Sequence, residues 1–317
     1  MNYYSPRSLY SLIPQHGRWF IKEINNVSTL YTTNLGSRLR FTTNGISKLT
    51  VNVLDNRNEL SPSQIYAWRI DNGPWHREQA SQNSWKIKTN PESHLIEIIT
   101  AGNTDLDRVW SGNQGFAISS VEIDQGTLES APSVPVIDFI GDSITAGCWV
   151  AGRHASYDYR PERNYVGTAV DLLHATDVRI AYSAGGVLRQ ATGEVPTAEH
   201  FLTHLDASTP WKANNPDLVV VNLGVNDRRF PLKQFTSRYD HFLSLVTSLF
   251  PTPPILIMIP FSQTFAEPIR RLASNHQLPV IETTGWCTTY TDGLHPDQPG
   301  ATESGVRLAQ KLSNWLK

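Results

Sequence analysis

Hydrophobic and polar positions change rhythm near residue 130. Before it, apolar residues alternate with polar ones in short runs. Leu39 and Phe41 stand between arginines and a threonine, and Leu49, Val51 and Val53 stand two apart. Period-two alternation bounded by Asn, Gly, Ser and Pro predicts half-buried strands over 38–42, 48–53, 65–70 and 94–100. Long amphipathic helical patterns are missing there, so residues 1–130 read as an all-β sandwich of jelly-roll type. A stretch rich in Ser, Pro and Gly over 126–135 is the expected linker. Beyond it the apolar runs become continuous, at 134–140, 178–182, 217–223 (DLVVVNL) and 255–259, with a shorter one at 279–282. Between them the spacing turns helical at 165–173, 235–250, 267–276 and 301–316. Phe235, Tyr239, Phe242, Leu243, Val246 and Leu249 mark the longest such face. Buried strands alternating with helices predict a parallel sheet covered on both faces over residues 131–317. Ligands of such sheets bind at the carboxyl ends of the strands.

Composition narrows the partners. The chain has 317 residues, 39% hydrophobic and 18% charged, which suits a soluble globular protein of two domains. A formal net charge of −2 supplies no global field for nucleic acid or an anionic membrane. Two cysteines, Cys148 and Cys287, are too few for a disulfide scaffold and are expected as free thiols in a reducing compartment. The opening MNYYSPRSLYSLIPQHGRWF lacks a basic start followed by an apolar stretch, and no apolar run approaches a bilayer span, so a cytoplasmic protein is expected. The ten histidines show no metal-ligand spacing, and GxGxxG and P-loop patterns are missing. Neither a metal nor another cofactor is expected.

Polar or Gly-rich clusters follow the predicted strands. Gly141-Asp142-Ser143-Ile144 exposes a serine at a strand tip where a helix starts. There its own amide can point at an oxyanion; an ordinary Asp/Ser helix cap is the competing reading. Gly224-Val225-Asn226-Asp227 offers an Asn amide as an oxyanion donor, or a plain turn. Asp292-Gly293-Leu294-His295-Pro296 offers a histidine base with an acid three residues earlier, able to hold its tautomer. Tyr182-Ser183-Ala184-Gly185-Gly186 has paired glycines that permit close backbone approach. Together these are the groups acyl transfer needs: a nucleophile, its base, an orienting acid and N–H donors.

The ordered set resembles the SGNH hydrolases, the GDSL-like esterases and lipases, over about residues 134–317. GDSI at 141–144 looks like the first block, with Ile in place of the common Leu at a packing position. Gly224–Asp227 looks like the third block and Asp292–Pro296 the last. The resemblance implies a flavodoxin-like three-layer α/β/α domain with Ser143 as nucleophile, His295 as base and Asp292 completing a triad. It implies an oxyanion hole from Ser143, Asn226 and, for the second block, Gly186, with Gly185 as the alternative. The β-rich first half is similar in architecture to the N-terminal jelly roll of family-two carbohydrate esterases, which remove acetyl groups from polysaccharides, and of certain natural-product acyltransferases.

The expected activity is therefore hydrolysis of small acyl esters, acetyl above all, on a saccharide or similar polyol. The rivals are an acyltransferase with the same triad and a non-catalytic carbohydrate-binding protein. Trp68, Trp75, Trp85 and Trp110 are expected in core packing before sugar stacking. Trp149 and Trp286 lie near the serine and histidine segments and are candidates for an acyl-pocket wall or for core, while Trp211 belongs to the same half. Arg228 and Arg229 are expected as a solvated pair, with contact to a polar leaving group as the other reading.

Overall fold

The structure is a computed structural model and describes residues 2–13, 17–213 and 215–316. The first half contains β1 (Asn2–Tyr4), α1 (Pro6–Leu12), β2 (Phe20–Ile24), β3 (Val27–Thr32), β4 (Arg38–Asn44), β5 (Lys48–Leu54), β6 (Ile65–Ile70), β7 (His76–Gln79), β8 (Ser84–Lys88), β9 (His94–Gly102), β10 (Phe116–Ile123) and β11 (Thr127–Ser130). The second contains β12 (Val136–Gly141), α2 (Ser143–Ala146), α3 (Tyr165–Leu172), β13 (Thr176–Ala181), α4 (Ala198–Phe201), β14 (Leu218–Asn222), α5 (Leu232–Leu249), β15 (Ile255–Met258), α6 (Ala266–Asn275), β16 (Val280–Ile281) and α7 (Gln298–Leu312).

The strands of the first half form two sheets, β2-β3-β10-β5-β8 with β1 against β10, and β11-β4-β9-β6-β7. All of their pairings are antiparallel. Leu39 and Phe41 of one sheet and Leu49, Val51 and Val53 of the other are almost fully buried and share one core cluster, so alternation in the chain becomes two inner faces packed together. The expected linker is only partly loop. Thr127–Ser130 pairs with β4 as an edge strand, with Leu128 buried. One apolar residue in four left too little pattern to separate a strand from a loop.

The second half folds as predicted from its apolar runs. Its five strands are all parallel, in the order β13-β12-β14-β15-β16, the doubly wound order 2-1-3-4-5 counted from β12. Alternate residues serve opposite faces. Ile137, Phe139, Leu218 and Val220 pack with α3 and α7, whereas Ile140, Val219 and Val221 pack with α5 and α6. Among the described residues no helix is long and apolar enough to cross a membrane.

The open edge of this sheet is β13, and the first half covers it. Phe20, Ile24 and Tyr31 join Val178, Ile180 and Tyr182 in one core cluster. The polar groups of the edge are paired across the same boundary. Asn34 Nδ2 donates to the Ala181 carbonyl at 3.2 Å. Asp177, fully buried, accepts from Arg38 Nε of β4 at 2.9 Å and from Arg179 Nε of its own strand at 2.6 Å. Burial pushes the Asp177 carboxyl up, but Arg179 and Arg38 outweigh it and hold the group below its ordinary range. Arg179 also donates to the carbonyls of Thr145, Ala146 and Pro161. Asp177→Ala leaves two buried guanidiniums short of their shared acceptor. It should lower stability by about 3–5 kcal/mol, read as a lower urea midpoint at unchanged slope.

Candidate active site

The end residues of β12, β13 and β14 lie in register: Gly141 pairs with Ala181 on one side and with Asn222 on the other. The loops that follow these three strands therefore emerge side by side, and they carry Ser143, Gly185–Gly186 and Asn226. Gly141 allows the tight exit of β12, because a Cβ there would collide with the Thr145 side chain. Asp142 caps α2 through its side chain, accepting from the Ile144 N–H at 2.9 Å. Burial pushes its carboxyl up to about 7, against the pull of that N–H, with Asp227 nearby adding to the rise. Asn164 ties down the other end of α2, donating to the carbonyls of Ile144 and Thr145.

Ser143 Oγ lies 2.8 Å from His295 Nε2, and His295 Nδ1 lies 2.8 Å from Asp292 Oδ2. The other Asp292 oxygen accepts the backbone N–H of His295 at 2.8 Å and of Leu294 at 3.0 Å. An ionised carboxylate only accepts, so Nδ1 carries the proton and Nε2 is left as the acceptor facing Ser143. Burial raises the Asp292 carboxyl, but the amide and ring of His295 outweigh it and keep it below its usual value, hence ionised. For His295, burial prevails over Asp292 and lowers the imidazole pKa, hence neutral near pH 7. The histidine loop is fastened to the segment behind the serine. Thr291 Oγ1 donates to the Trp149 carbonyl at 2.6 Å, and Arg153 donates twice to the Thr291 carbonyl. Trp149 adopts a left-handed φ of +62° to present that carbonyl, and its ring centroid lies 6.4 Å from that of His295.

Asn226 is buried, and its Nδ2 donates one N–H to the Gly185 carbonyl at 3.0 Å, leaving the second free of that bond. The Ser143 amide is the first of α2 and has no intrahelical acceptor. The glycine pair differs from the expectation. The Gly186 N–H donates to the Arg189 carbonyl at 3.0 Å and the Gly185 N–H to the Tyr182 carbonyl at 3.1 Å, so each amide is already spent in this conformation. The three-residue turn that satisfies Gly186 is not visible in the spacing of residue types. Asp227 organises the loop: its carboxylate accepts from the amides of Val187, Leu188 and Arg189 at 2.9–3.0 Å. A Cβ at Gly186 would run into that carboxylate. Sequence reasoning read Asp227 as turn chemistry, because its three donors lie some forty positions away.

Residues 139–302, about half of the chain, match the sequence profile of the GDSL-like lipase/acylhydrolase family. The chain belongs to this family. It is accordingly a carboxylic ester hydrolase of the SGNH type. No curated protein sequence matches it. Among solved structures, it is similar to a family-two carbohydrate esterase from Clostridium thermocellum in complex with cellohexaose, at 18% identity over 95% of this chain and 98% of that one, with a TM-score of 0.73. An acetyl xylan esterase from the rumen bacterium Butyrivibrio proteoclasticus covers 100% of both chains at 15% identity and a TM-score of 0.70. A salicylyl-acyltransferase from a tetracycline biosynthetic pathway covers 99% of this chain and 98% of its own at 14% identity and a TM-score of 0.65. At such identities the likeness is one of fold, and here it extends over both halves of the chain.

The remaining candidates take no part in the relay of this GDSL-like hydrolase. Trp68, Trp85, Trp110 and Trp286 are buried in core clusters. Trp75 lies under the guanidiniums of Arg38 and Arg69, and Trp211 under that of Arg18. Arg228 and Arg229 are exposed, and Arg228 donates to the Val225 carbonyl. Cys148 and Cys287 are buried free thiols in separate clusters. Among the described residues no three His, Cys, Asp or Glu side chains gather as a metal site. Gly186→Ala must displace the Asp227 carboxylate. It should cut turnover of p-nitrophenyl acetate by about tenfold or more while leaving the far-UV circular dichroism unchanged.

Proposed function

We propose that the protein is a serine esterase that removes small acyl groups, acetyl above all, from a saccharide or similar polyol. The observation that carries this reading is the continuous relay from Ser143 through His295 to Asp292, with both links at 2.8 Å. In the proposed reaction His295 Nε2 takes the hydroxyl proton as Ser143 Oγ attacks the ester carbonyl carbon, and the C–O π electrons move onto oxygen. Asp292 holds the ring and balances the imidazolium. The oxyanion meets the Ser143 amide and the free N–H of Asn226. Gly186 joins them by sharing or giving up its bond to Arg189. Collapse of the intermediate breaks the bond to the alcohol, which leaves with the proton from His295. Water, deprotonated by the same imidazole, then releases the acid and restores the serine.

The acetyl and saccharide assignment draws on the likeness to carbohydrate esterases over the whole chain and on the two-layer β half. We read that half, residues 1–130, as a jelly-roll-like accessory domain and residues 131–317 as the catalytic domain. Trp149 is the side chain placed to wall the acyl or sugar side of the relay. The likeness to an acyltransferase over 99% of this chain supports a second reading, in which an alcohol takes the place of water. Product analysis with and without an added acceptor alcohol separates the two. The unbridged cysteines support a reducing, cytoplasmic setting.

Ser143→Ala should lower kcat on p-nitrophenyl acetate by a factor on the order of 10⁴ or more; undiminished turnover removes Ser143 from the mechanism. Asn226→Ala should cost about 10²–10³ in kcat. The base works in its neutral form, so activity is present above its pKa and lost as pH falls through it. Because burial lowers that pKa, the acidic limb of kcat/KM should have its midpoint below the ordinary histidine value of about 6.5. A midpoint above that value assigns the limb to another group.

A further inference from the structure

A cavity of about 80 Å³ lies between the two halves at the amino ends of β12 and β13. The strand β12 separates it from Ser143 by its full length of about 17 Å, five steps of about 3.3 Å. Its walls are of two kinds. Ile13, Val134, Val136 and Val178 supply apolar lining, and Arg18, Arg38, Arg40 and Arg179 supply guanidiniums around the carboxylate of Asp177, which is taken up by Arg38 and Arg179.

Arg18 and Arg38 are buried and incompletely paired, and Arg40 is partly buried. Arg18 and Arg38 are 2% and 8% exposed. Arg18 spends Nε on Asn34 and Nη2 on Tyr182 and the carbonyls of Phe201 and His204, and its Nη1 has no partner among the described residues. Arg38 spends Nε on Asp177 and Nη1 on Glu97, and its Nη2 has no partner. Buried guanidinium N–H groups are seldom left so. Charge points the same way. Glu97 alone serves Arg38, Arg40 and Arg69; Asp171 serves Arg69; Asp177 serves Arg38 and Arg179. Four guanidiniums thus meet three carboxylates. Arg18 adds a fifth, and the carboxyl that feels its field, Asp138, makes no hydrogen bond and is pushed toward its neutral form by burial. Surplus positive charge in a buried setting acts strongly on an anion.

We propose that this cavity binds a short-chain carboxylate. Its oxygens accept from Arg18 Nη1 and Arg38 Nη2, and its hydrocarbon end rests on the valine side. The space is several times the ~10–15 Å³ that one water needs and about half the ~150 Å³ that admits benzene, which suits an acid of roughly two to four carbons. This assignment is independent of the chemistry at Ser143.

The test is saturation-transfer difference NMR with sodium butyrate on the full chain, at constant ionic strength. Two variants leave the relay untouched. Val134→Phe fills the apolar side. Arg40→Gln removes surplus charge while Glu97 keeps Arg38 and Arg69. Both should weaken butyrate binding by about tenfold, the first by filling the space and the second by lowering the positive field. Turnover of p-nitrophenyl acetate should stay within about twofold, as expected for distant sites. Inorganic phosphate, which has no hydrocarbon end, should compete poorly. No saturable butyrate binding to the unmodified chain overturns the proposal. So does binding unchanged in both variants, which places butyrate elsewhere, the serine site included. Displacement by phosphate as effective as by propionate also overturns it, because the apolar wall is then idle.

Discussion

A buried carboxylate sits at the centre of the polar contacts between the two halves of the molecule. Asp177 sits on the edge strand of the parallel sheet and receives Arg38 from the β-sandwich and Arg179 from its own strand. These side chains are buried, so each charge depends on the others, and removal of any one leaves the rest without full compensation. The arrangement does more than seal an edge. Arg179 continues to the carbonyls at the end of α2, the helical turn that begins with Ser143. The packing of the first half on the second is thereby linked to the position of Ser143, the proposed nucleophile.

At the carboxyl end of the sheet, opposing electrostatic influences produce the protonation states that acyl transfer requires. Burial favours the neutral form of both Asp292 and His295. Two N–H donors on one oxygen and the imidazole on the other keep Asp292 ionised, whereas for His295 burial outweighs the pull of Asp292. A charged orienter beside a neutral base follows from that asymmetry. Strain is located beside it: Trp149 holds a left-handed backbone so that its carbonyl can anchor the loop bearing His295. Such a conformation persists only where the surroundings enforce it, and Thr291 and Arg153 do so here.

The parallel sheet thus has two distinct ends. Its carboxyl end gathers a serine, an imidazole and N–H donors, the equipment of a GDSL-like acylhydrolase. Its amino end, closed over by the sandwich, gathers guanidiniums with an apolar wall. The docking of the halves makes the second, because the arginines that cover the edge of β13 outnumber the carboxylates available to them.

Much of this was written in the chain. Continuous apolar runs such as DLVVVNL mark strands buried on both faces, alternation at Leu49, Val51 and Val53 marks strands buried on one, and Ser143, Asn226, Asp292 and His295 stand in short blocks whose residue types declare their chemistry. These are local signals, carried by residues within a few positions of each other. What tertiary structure decided was every relation between distant segments. The register of Gly141 with Ala181 and Asn222 sets three loops side by side, and Asp227 reaches across to order the loop at 187–189. The amides of Gly185 and Gly186 are consumed by neighbours that no spacing rule reveals. Arg18, Arg38 and Asp177 gain their meaning only when burial removes the water that would otherwise pair them. Periodicity reports which face of an element is dry; it does not report which charge will meet which across the boundary, since that depends on how whole layers dock.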